Sequence, residues 1–263
     1  MPLPADAHIG AVSLTVSDLN RSLPFYQDVL GFRVVSRDGP AVFLSAVSDH
    51  VLVELHERRD AVPRPRRSAG LFHFAILVPS RAALGRSVRR LSEQRWPLSG
   101  AADHLVSEAL YLDDPDGLGV EIYCDRQRQR WRTSEGELAM ATDPLDLQSV
   151  ASEPGAEAPW RRLEAETVIG HVHLQVPSLE DGEALYCGQV GFEPMVRGYP
   201  GALFVAAGGY HHHLGMNTWA GVGAPPPPDR AVGLRSFTIE AHDLVSRQVE
   251  DVATRTIVTL IGG

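Results

Sequence analysis

The sequence predicts an α+β protein made of four βαβββ modules in tandem, of which the last is shortened. Residues 9–32 and 169–192 are identical at nine of 24 positions, which indicates a tandem duplication. Within each half, a strand pattern of period two is followed by helical spacing of apolar residues, and this order then recurs. The chain ends 26 residues after Phe237, whereas 47 residues lead from the matching Phe74 to Glu121. The fourth module is therefore expected to lack its final strand.

The first module gives the clearest pattern. Val12, Leu14 and Val16 alternate with polar residues, which predicts a strand with one buried face. Asp18 is expected to cap a helix that ends at Gly31, because a short polar side chain favours the helix start and glycine favours its end. Two or three further strands are expected before a loop rich in proline and arginine.

The second module is expected to follow the same order. The pattern predicts a strand over 72–78, a helix from Ser80 to about Gln94, and strands near 105–112 and 119–124.

The organisation of the whole chain follows from these modules. We expect a first domain at 1–125, a polar connector with some helix at 126–166, and a C-terminally shortened second domain at 167–263.

Composition excludes several functional classes. The formal net charge of −9 and the pI near 5.6 argue against binding to nucleic acid or to an anionic membrane surface. All 24 basic residues are arginine, so a P-loop lysine and a Schiff-base lysine are both excluded. The two cysteines, Cys124 and Cys187, form no CxxC pair, which favours a reducing cytoplasm. We find neither a signal peptide nor an apolar stretch of membrane-spanning length, so no membrane partner is expected.

Three segments of the sequence resemble the vicinal oxygen chelate superfamily, which includes glyoxalases, fosfomycin-resistance proteins and extradiol dioxygenases. They are DLNRSLPFYQDVLGF, GLFHFAI and YLDDPDGLGVEIY. More narrowly, GHVHL and GGYHHHLGMNTWAG, followed by APPPP, are similar to the two-domain catechol 2,3-dioxygenase-like branch. The resemblance covers nearly all of residues 8–240, and it implies paired βαβββ modules that hold a divalent metal.

The resemblance also implies where the metal ligands lie. The family places a histidine on the first strand of a module and a carboxylate on the last strand, after D-P-x-G. The carboxylate position is Glu121, and the four first-strand positions are occupied by Ala11, His73, His171 and Ser236. Neither half supplies a complete set by itself. Only a pairing across the halves does, with His73 and Glu121 from the first half and His171 from the second.

Two imidazoles and one carboxylate are the ligand set of non-heme Fe(II) oxygenases. Fe(II) is therefore the expected cofactor, and Mn, Ni or Zn would also suit this set of donors. A buried carboxylate without a partner is costly, and Glu121 lies on a strand that is predicted to be buried, so a metal partner is the expected solution.

Further residues are expected around the metal. His173 follows His171 by two positions, so both side chains should point to the same face of the strand. In the run of three histidines, the same alternation is expected to turn His211 and His213 towards the pocket. By resemblance to extradiol enzymes, a histidine on this strand is expected to be the acid/base, and the alternation favours His213 over His212 for this role.

The resemblance also places Tyr111 and His104 among the catalytic residues, and His173 is expected to join them because it lies next to the metal. His211, Asn217 and Trp219 are expected to bind the substrate by lining a pocket shaped for an aromatic ring.

The sequence thus predicts an Fe(II)-dependent extradiol dioxygenase that cleaves a small catechol-type aromatic with O2. One alternative is a glyoxalase-type isomerase or transferase, which is weakened because such enzymes use two carboxylates and only Glu121 is found. Another is a metal-free, bleomycin-resistance-like binder of aromatic antibiotics, which is weakened by the intact metal triad. A homodimer is one possible assembly, because the shortened fourth module would leave sheet edges for a second copy to cover.

Overall fold

The computed structural model describes residues 1–47, 50–134 and 137–263, and it contains the four predicted modules in order. The first module consists of β1 (His8–Val16), α1 (Leu19–Pro24), which continues as a π-helix (Phe25–Val29), β2 (Arg33–Asp38), β3 (Ala41–Ser45) and β4 (Val53–Glu57). The second consists of β5 (Gly70–Leu77), α2 (Arg81–Glu93), β6 (Gly100–Asp103), β7 (Ser107–Asp113) and β8 (Gly119–Asp125). The predicted strands and helices of both modules are confirmed.

The second half follows a connector of short elements. The connector contains a 3₁₀ turn (Arg128–Arg130), β9 (Thr133–Ser134), β10 (Glu137–Leu138), β11 (Asp143–Pro144) and α3 (Leu147–Ala151). The third module consists of β12 (Val168–Gln175), α4 (Leu179–Glu183), which continues as a π-helix (Ala184–Val190), β13 (Glu193–Val196), β14 (Ala202–Ala206) and β15 (Leu214–Asn217). The fourth consists of β16 (Gly233–Ala241), β17 (Arg247–Asp251) and β18 (Thr256–Gly262).

Local sequence explains where the helices begin and end. The Asp18 carboxylate accepts a hydrogen bond from the Asn20 backbone N–H, and the Ser80 hydroxyl oxygen accepts one from the Ala83 N–H. Both caps satisfy a backbone donor that has no partner within the helix. Gly31, which follows the first helical segment, has φ of +94°, a conformation that glycine adopts without steric cost.

The modules pair across the sequence repeat. One sheet has the order β11-β6-β7-β8-β5-β12-β15-β14-β13, so it joins the second and third modules. The other has the order β17-β18-β16-β1-β4-β3-β2, so it joins the first and fourth. In the larger sheet, β5 and β12 run antiparallel, with His73 opposite His173 and Ala75 opposite His171. Each of these two sheets therefore takes one module from each half of the chain, whereas β9 and β10 of the connector pair with each other.

The fourth module differs from the prediction in which part is missing. Its final strand, β18, is present and runs parallel to β16, as β8 runs parallel to β5. The module lacks a helix and a counterpart of β6 instead. The physical reason is that β18 is hydrogen-bonded on both sides, to β16 and to β17, whereas a counterpart of β6 would only add an outer strand. At the place where the second module pairs Glu121 with Ala75, the fourth module pairs Thr259 with Thr238. The fourth module therefore has no carboxylate at the position that Glu121 occupies in the second. Strand β17 is left at the edge of the sheet, and the homodimer stays a prediction.

Alternation along the strands separates an apolar face from a polar one. In β5, Phe74 and Ile76 belong to the main hydrophobic core, together with Leu84 and Leu91 of α2. His73 and Ala75 face the opposite side of the sheet, where the functional site lies. No helix in the described part of the chain has the length and apolar character needed to cross a lipid bilayer.

Candidate active site

Three side chains from the central strands of the larger sheet converge at one point. His73 Nε2 on β5 lies 2.9 Å from Glu121 Oε2 on β8, and His171 Nε2 on β12 lies 3.1 Å from the same oxygen. All three side chains are buried, and one potential ligand atom from each lies within 4.8 Å of the others. The parallel pairing of β8 with β5 and the antiparallel pairing of β12 with β5 bring them together.

The protonation states of Glu121 and His171 suit a cation. Burial opposes the charge of Glu121, but the attraction of His171 and His73 outweighs it and holds the pKa of this carboxyl well below its usual range. Burial lowers the pKa of His171 to about 4, so its imidazole is neutral at pH 7. A carboxylate and a neutral imidazole are the forms that bind metals.

Two buried nitrogens of the triad, His73 Nε2 and His171 Nδ1, lack a hydrogen-bond partner among the described groups. His73 Nε2 is buried, yet it makes no hydrogen bond of acceptable geometry with any described group. A buried polar atom without a partner is costly, and a divalent cation would satisfy this nitrogen and the carboxylate together. The residues present therefore fit the predicted metal.

A cavity of about 580 Å³ opens beside the triad. Its wall is mainly aromatic and apolar, and it includes Phe72, Tyr111, Leu112, Val120, Met140, Tyr199, Phe204 and Trp219. Three further histidines, His104, His173 and His212, also line it. Apolar walls with a few convergent polar groups are typical of sites for small organic ligands.

His104 and Tyr111 form one hydrogen-bonded pair on this wall. His104 Nδ1 lies 2.6 Å from the Ala141 carbonyl oxygen, to which it can only donate. In a neutral imidazole this makes the other nitrogen, Nε2, the acceptor for the Tyr111 hydroxyl, which lies at 2.6 Å. Burial and the nearby Glu121 carboxylate raise the pKa of Tyr111 well above its usual value, so the phenol keeps its proton.

His173 is held by the amide of Asn217. The Asn217 Oδ1 atom accepts a hydrogen bond from the Trp219 backbone N–H, which leaves the Asn217 amino group to donate to His173 Nε2 at 2.9 Å. Burial lowers the pKa of His173 well below its usual value, so this imidazole is also neutral. Asn217 therefore lies behind the cavity wall and orients His173, whereas Trp219 lies on the wall itself.

The histidine run is oriented differently from the prediction. His212 lines the cavity, with its ring centroid 4.1 Å from that of His171, whereas His211 and His213 do not line it. The physical reason is that β15 begins only at Leu214, so the preceding residues lie in a loop and do not alternate as strand residues do. His213 points away instead, and its Nδ1 accepts a hydrogen bond from the Ala207 backbone N–H.

A hydrogen-bonded chain supports His212 from behind. The Asp125 carboxylate accepts a hydrogen bond from His211 Nε2 at 2.9 Å, and in a neutral imidazole this leaves a lone pair on the Nδ1 atom of His211. His212 Nδ1 lies 2.7 Å from that atom and must therefore be the donor. This leaves His212 Nε2 without a proton, because burial lowers the pKa of His212 well below its usual value and keeps the ring neutral.

The structure thus brings seven of the ten predicted site residues to one cavity. They are His73, His104, Tyr111, Glu121, His171, His173 and Trp219. Asn217 and His211 lie directly behind the wall, and His213 lies away from it.

Sequence reasoning missed the part played by Asp125. A signal was present, because Asp125 follows Glu121 by four positions on one strand and so shares its face. Phe72, Tyr199 and Phe204 were also missed, and nothing in their local sequence distinguishes them from core residues.

Comparisons with known proteins agree with this geometry. Residues 8–122 match the family model for the Glyoxalase/Bleomycin resistance protein/Dioxygenase superfamily. The chain is 46% identical over 254 residues to the catechol-2,3-dioxygenase of Bacillus subtilis (strain 168), a match that covers 93% of this chain and 88% of that protein. Its fold resembles that of glyoxalase I from Zea mays, with a TM-score of 0.58, 13% identity, and coverage of 98% of this chain and 92% of that one. The chain therefore belongs to the glyoxalase, bleomycin resistance protein and dioxygenase superfamily.

Proposed function

We propose that this protein is an extradiol dioxygenase that uses Fe(II) and O2 to open the ring of a catechol next to its two hydroxyl groups. The observation that carries the proposal is the buried His73, His171 and Glu121 triad at the edge of an aromatic cavity. The 46% identity to a catechol-2,3-dioxygenase supports the same reaction. When bound by the triad, Fe(II) would supply open coordination positions for the two catechol oxygens and for O2.

His212 is proposed as the acid/base of the reaction, in place of His213. Its unprotonated Nε2 belongs to a neutral ring on the cavity wall, so it can accept a proton from a catechol hydroxyl. The Asp125 and His211 chain behind it would stabilise the imidazolium that results, because a carboxylate stands at the far end. The same nitrogen would later return the proton to the substrate oxygen.

Tyr111 and His104 are proposed to position the substrate. The Tyr111 hydroxyl donates to His104, so its oxygen has lone pairs left to accept a hydrogen bond from a catechol hydroxyl. His173 faces the same cavity with a ring that Asn217 holds in one orientation. These contacts would fix the plane of the catechol ring before the reaction. Orienting the substrate in this way contributes much of the catalytic advantage of a rigid site.

The proposal is tested by loading the purified protein with Fe(II) under anaerobic conditions and then adding O2 and simple catechols. We expect a yellow ring-opened product and one bound metal ion per chain. Glu121→Ala should lose both, because it removes the only anionic ligand of the triad.

Glu54→Ala is the matched control. Glu54 pairs with Ser13 in the smaller sheet as Glu121 pairs with Ala75 in the larger one, so the control removes a carboxylate at the equivalent place. It should keep both the metal and the activity. Protein that binds Fe(II) and converts none of the catechols would contradict the proposal and favour a non-catalytic binding role.

We also propose that the protein works in the reducing cytoplasm. Cys124 and Cys187 are both free thiols, and Cys124 is buried. Burial raises the pKa of the Cys124 thiol to about 12, which makes it a poor nucleophile and a structural residue.

A further inference from the structure

The cavity beside the triad has a distinct charge and shape. We infer that its substrate is a catechol with an uncharged, apolar ring substituent and no carboxylate, an inference that rests on the proposed function. Two independent features carry it, the charges around the cavity and the aromatic rim at its mouth.

The first feature is the lack of a cation for a substrate carboxylate. Among the described residues that line the cavity there is no arginine, and the chain contains no lysine. The four residues outside the described part are Ser, Asp, Glu and Gly, so they add no positive charge. A carboxylate on the ring would therefore be buried among apolar side chains without a partner, which is strongly unfavourable.

The carboxylate of Asp113 makes the cavity still less favourable for an anionic substituent. Asp113 lines the cavity at the end of β7 and is exposed, so it presents a negative charge to an incoming ligand. The Thr142 hydroxyl, which also lines the cavity, is already hydrogen-bonded to the Tyr199 hydroxyl at 2.5 Å. The cavity thus repels an anionic substituent and offers it little in return.

The second feature is the aromatic rim formed by Phe72 and Trp219. Phe72 and Trp219 are 36% and 47% exposed, although both line the cavity, and their rings meet edge to face at 5.4 Å. Both rings also pack on His173, at 5.2 and 5.7 Å. This aromatic rim is therefore close to the metal triad, because the centroid of the His173 ring lies 5.0 Å from that of the His73 ring.

An exposed aromatic pair at the mouth of a cavity is suited to an apolar group on the ligand. A volume of about 580 Å³ also leaves room beyond a bare dihydroxybenzene ring, because it falls in the range of pockets for drug-sized ligands. The substituent would extend from the ring at the triad to Phe72 and Trp219. Alkyl and aryl groups fit this environment.

The inference is tested with substrates that differ in charge at one position. The kcat/KM of the Fe(II)-loaded protein is measured for 3,4-dihydroxybenzoate, for its neutral counterpart 3,4-dihydroxybenzamide, and for 4-tert-butylcatechol. We expect the benzoate to be poorer than the benzamide by about 10²-fold or more, and tert-butylcatechol to be the best of the three. Equal values for the benzoate and the benzamide would overturn the inference while leaving the proposed function intact.

Two charge reversals locate the selectivity. Asp113→Arg supplies the missing cation, so the ratio of benzoate to benzamide kcat/KM should rise about tenfold or more. Asp38→Arg makes the same change at an exposed residue at the end of β2 in the other sheet, and it should leave this ratio unchanged. An equal rise in both variants would show that net charge acts from a distance, and the role of Asp113 would be wrong.

A binding measurement keeps the inference separate from turnover. Calorimetry on the protein without metal compares 4-tert-butylphenol with 4-hydroxybenzoate, and we expect binding of the phenol only. Trp219→Ala should weaken binding of tert-butylphenol more than that of phenol itself. If this discrimination is found in a protein that cleaves no catechol, the proposed reaction fails and the ligand class stands. If neither ligand is preferred, the inference fails.

Discussion

Besides the two imidazoles of the metal triad, three imidazoles line the cavity, and each has a hydrogen-bonding neighbour that orients it. The Ala141 carbonyl orients His104, the Asn217 amide orients His173, and the pair of His211 and Asp125 orients His212. A neutral imidazole with one defined lone pair is what a general base or a hydrogen-bond acceptor requires at pH 7.

The acid/base role of His212 is tested against its neighbour in the sequence. His212→Ala should keep the metal but lower kcat by about 10²–10⁴-fold, because it removes the proton acceptor from the cavity wall. His213→Ala is the matched control, since His213 is buried beside Ala207 and does not line the cavity. It should lower the melting temperature and keep most of kcat. Steady-state kinetics and metal analysis distinguish the two, and a greater loss of kcat in His213→Ala would contradict the assignment.

The role of Asp125 can be separated from that of a structural hydrogen bond. In Asp125→Asn, the amide can donate to His211 Nε2, which would reverse the donors along the chain and place a proton on His212 Nε2. We expect kcat to fall about 10²-fold or more while the metal content stays the same. Nitrogen-15 NMR of the histidines reports the tautomers directly. An unchanged His212 tautomer together with a full loss of kcat would show that Asp125 acts in another way.

At the scale of elements, two glycines allow strands and rings to approach the site closely. A Cβ atom on Gly119, the first residue of β8, would lie 2.1 Å from the Phe72 carbonyl oxygen. A Cβ atom on Gly215 in β15 would lie about 3 Å from the His173 ring. The close spacing of β5 and β8 therefore requires a glycine at residue 119. The same spacing sets the distance from His73 to Glu121.

Gly119→Ala should separate these strands. We expect a loss of stability of at least about 1–3 kcal/mol, together with weaker metal binding, because the backbone contact cannot relax as a flexible side chain would. Gly188→Ala, in the π-helical segment after α4, has no atom within 4 Å of the added Cβ and should be nearly neutral. Urea unfolding and metal titration of both variants test this, and a Gly119→Ala protein with normal metal affinity would contradict it.

How much the sequence predicts depends on the kind of element. The first strands of the modules were predictable because Val12, Leu14 and Val16 show the period of a half-buried strand. The pairing of His73 and Glu121 with His171 followed from the family resemblance and from counting ligands across the modules. The orientation of His212 was not predictable by alternation, because a loop has no fixed period. The missing part of the fourth module was not predictable from length alone, because 26 residues suffice for β17 and β18 once the helix is omitted.

At the scale of the whole molecule, the two sheets are joined by the same contact twice. The Tyr26 hydroxyl in the first module donates to Asp114 in the turn before β8, at 3.1 Å. The Tyr186 hydroxyl, at the equivalent place in the third module, donates to Asp251, the last residue of β17 before the turn to β18, at 2.8 Å. Each final strand is therefore anchored by a tyrosine from the other sheet. Through Asp114, the smaller sheet helps to hold the strand that carries Glu121.

This anchor should make the stability of the protein depend on pH. Burial raises the pKa of Asp114 to about 6, although the backbone N–H groups of Leu118 and Asp116 and the Tyr26 hydroxyl oppose the shift. The folded state then binds a proton more tightly than the unfolded chain, whose Asp pKa is about 3.9. The resulting stabilisation is fully present below pH 4 and is lost as the pH rises through 6.

Asp114→Asn should remove this dependence, because its amide oxygen can still accept from Leu118 and Asp116 while carrying no charge. We compare the free energy of unfolding of Asp114→Asn with that of wild type at pH 4.5 and at pH 7.5. The difference, variant minus wild type, should be larger at pH 7.5 by on the order of 2 kcal/mol. Asp38→Asn, exposed at the end of β2, controls for the change in net charge and should show no such rise. Urea unfolding of the three proteins at both pH values measures it. A difference between Asp114→Asn and wild type that is the same at both pH values would show that Asp114 is already ionised without cost in the folded protein, and that its hydrogen bonds to the turn before β8 outweigh its burial.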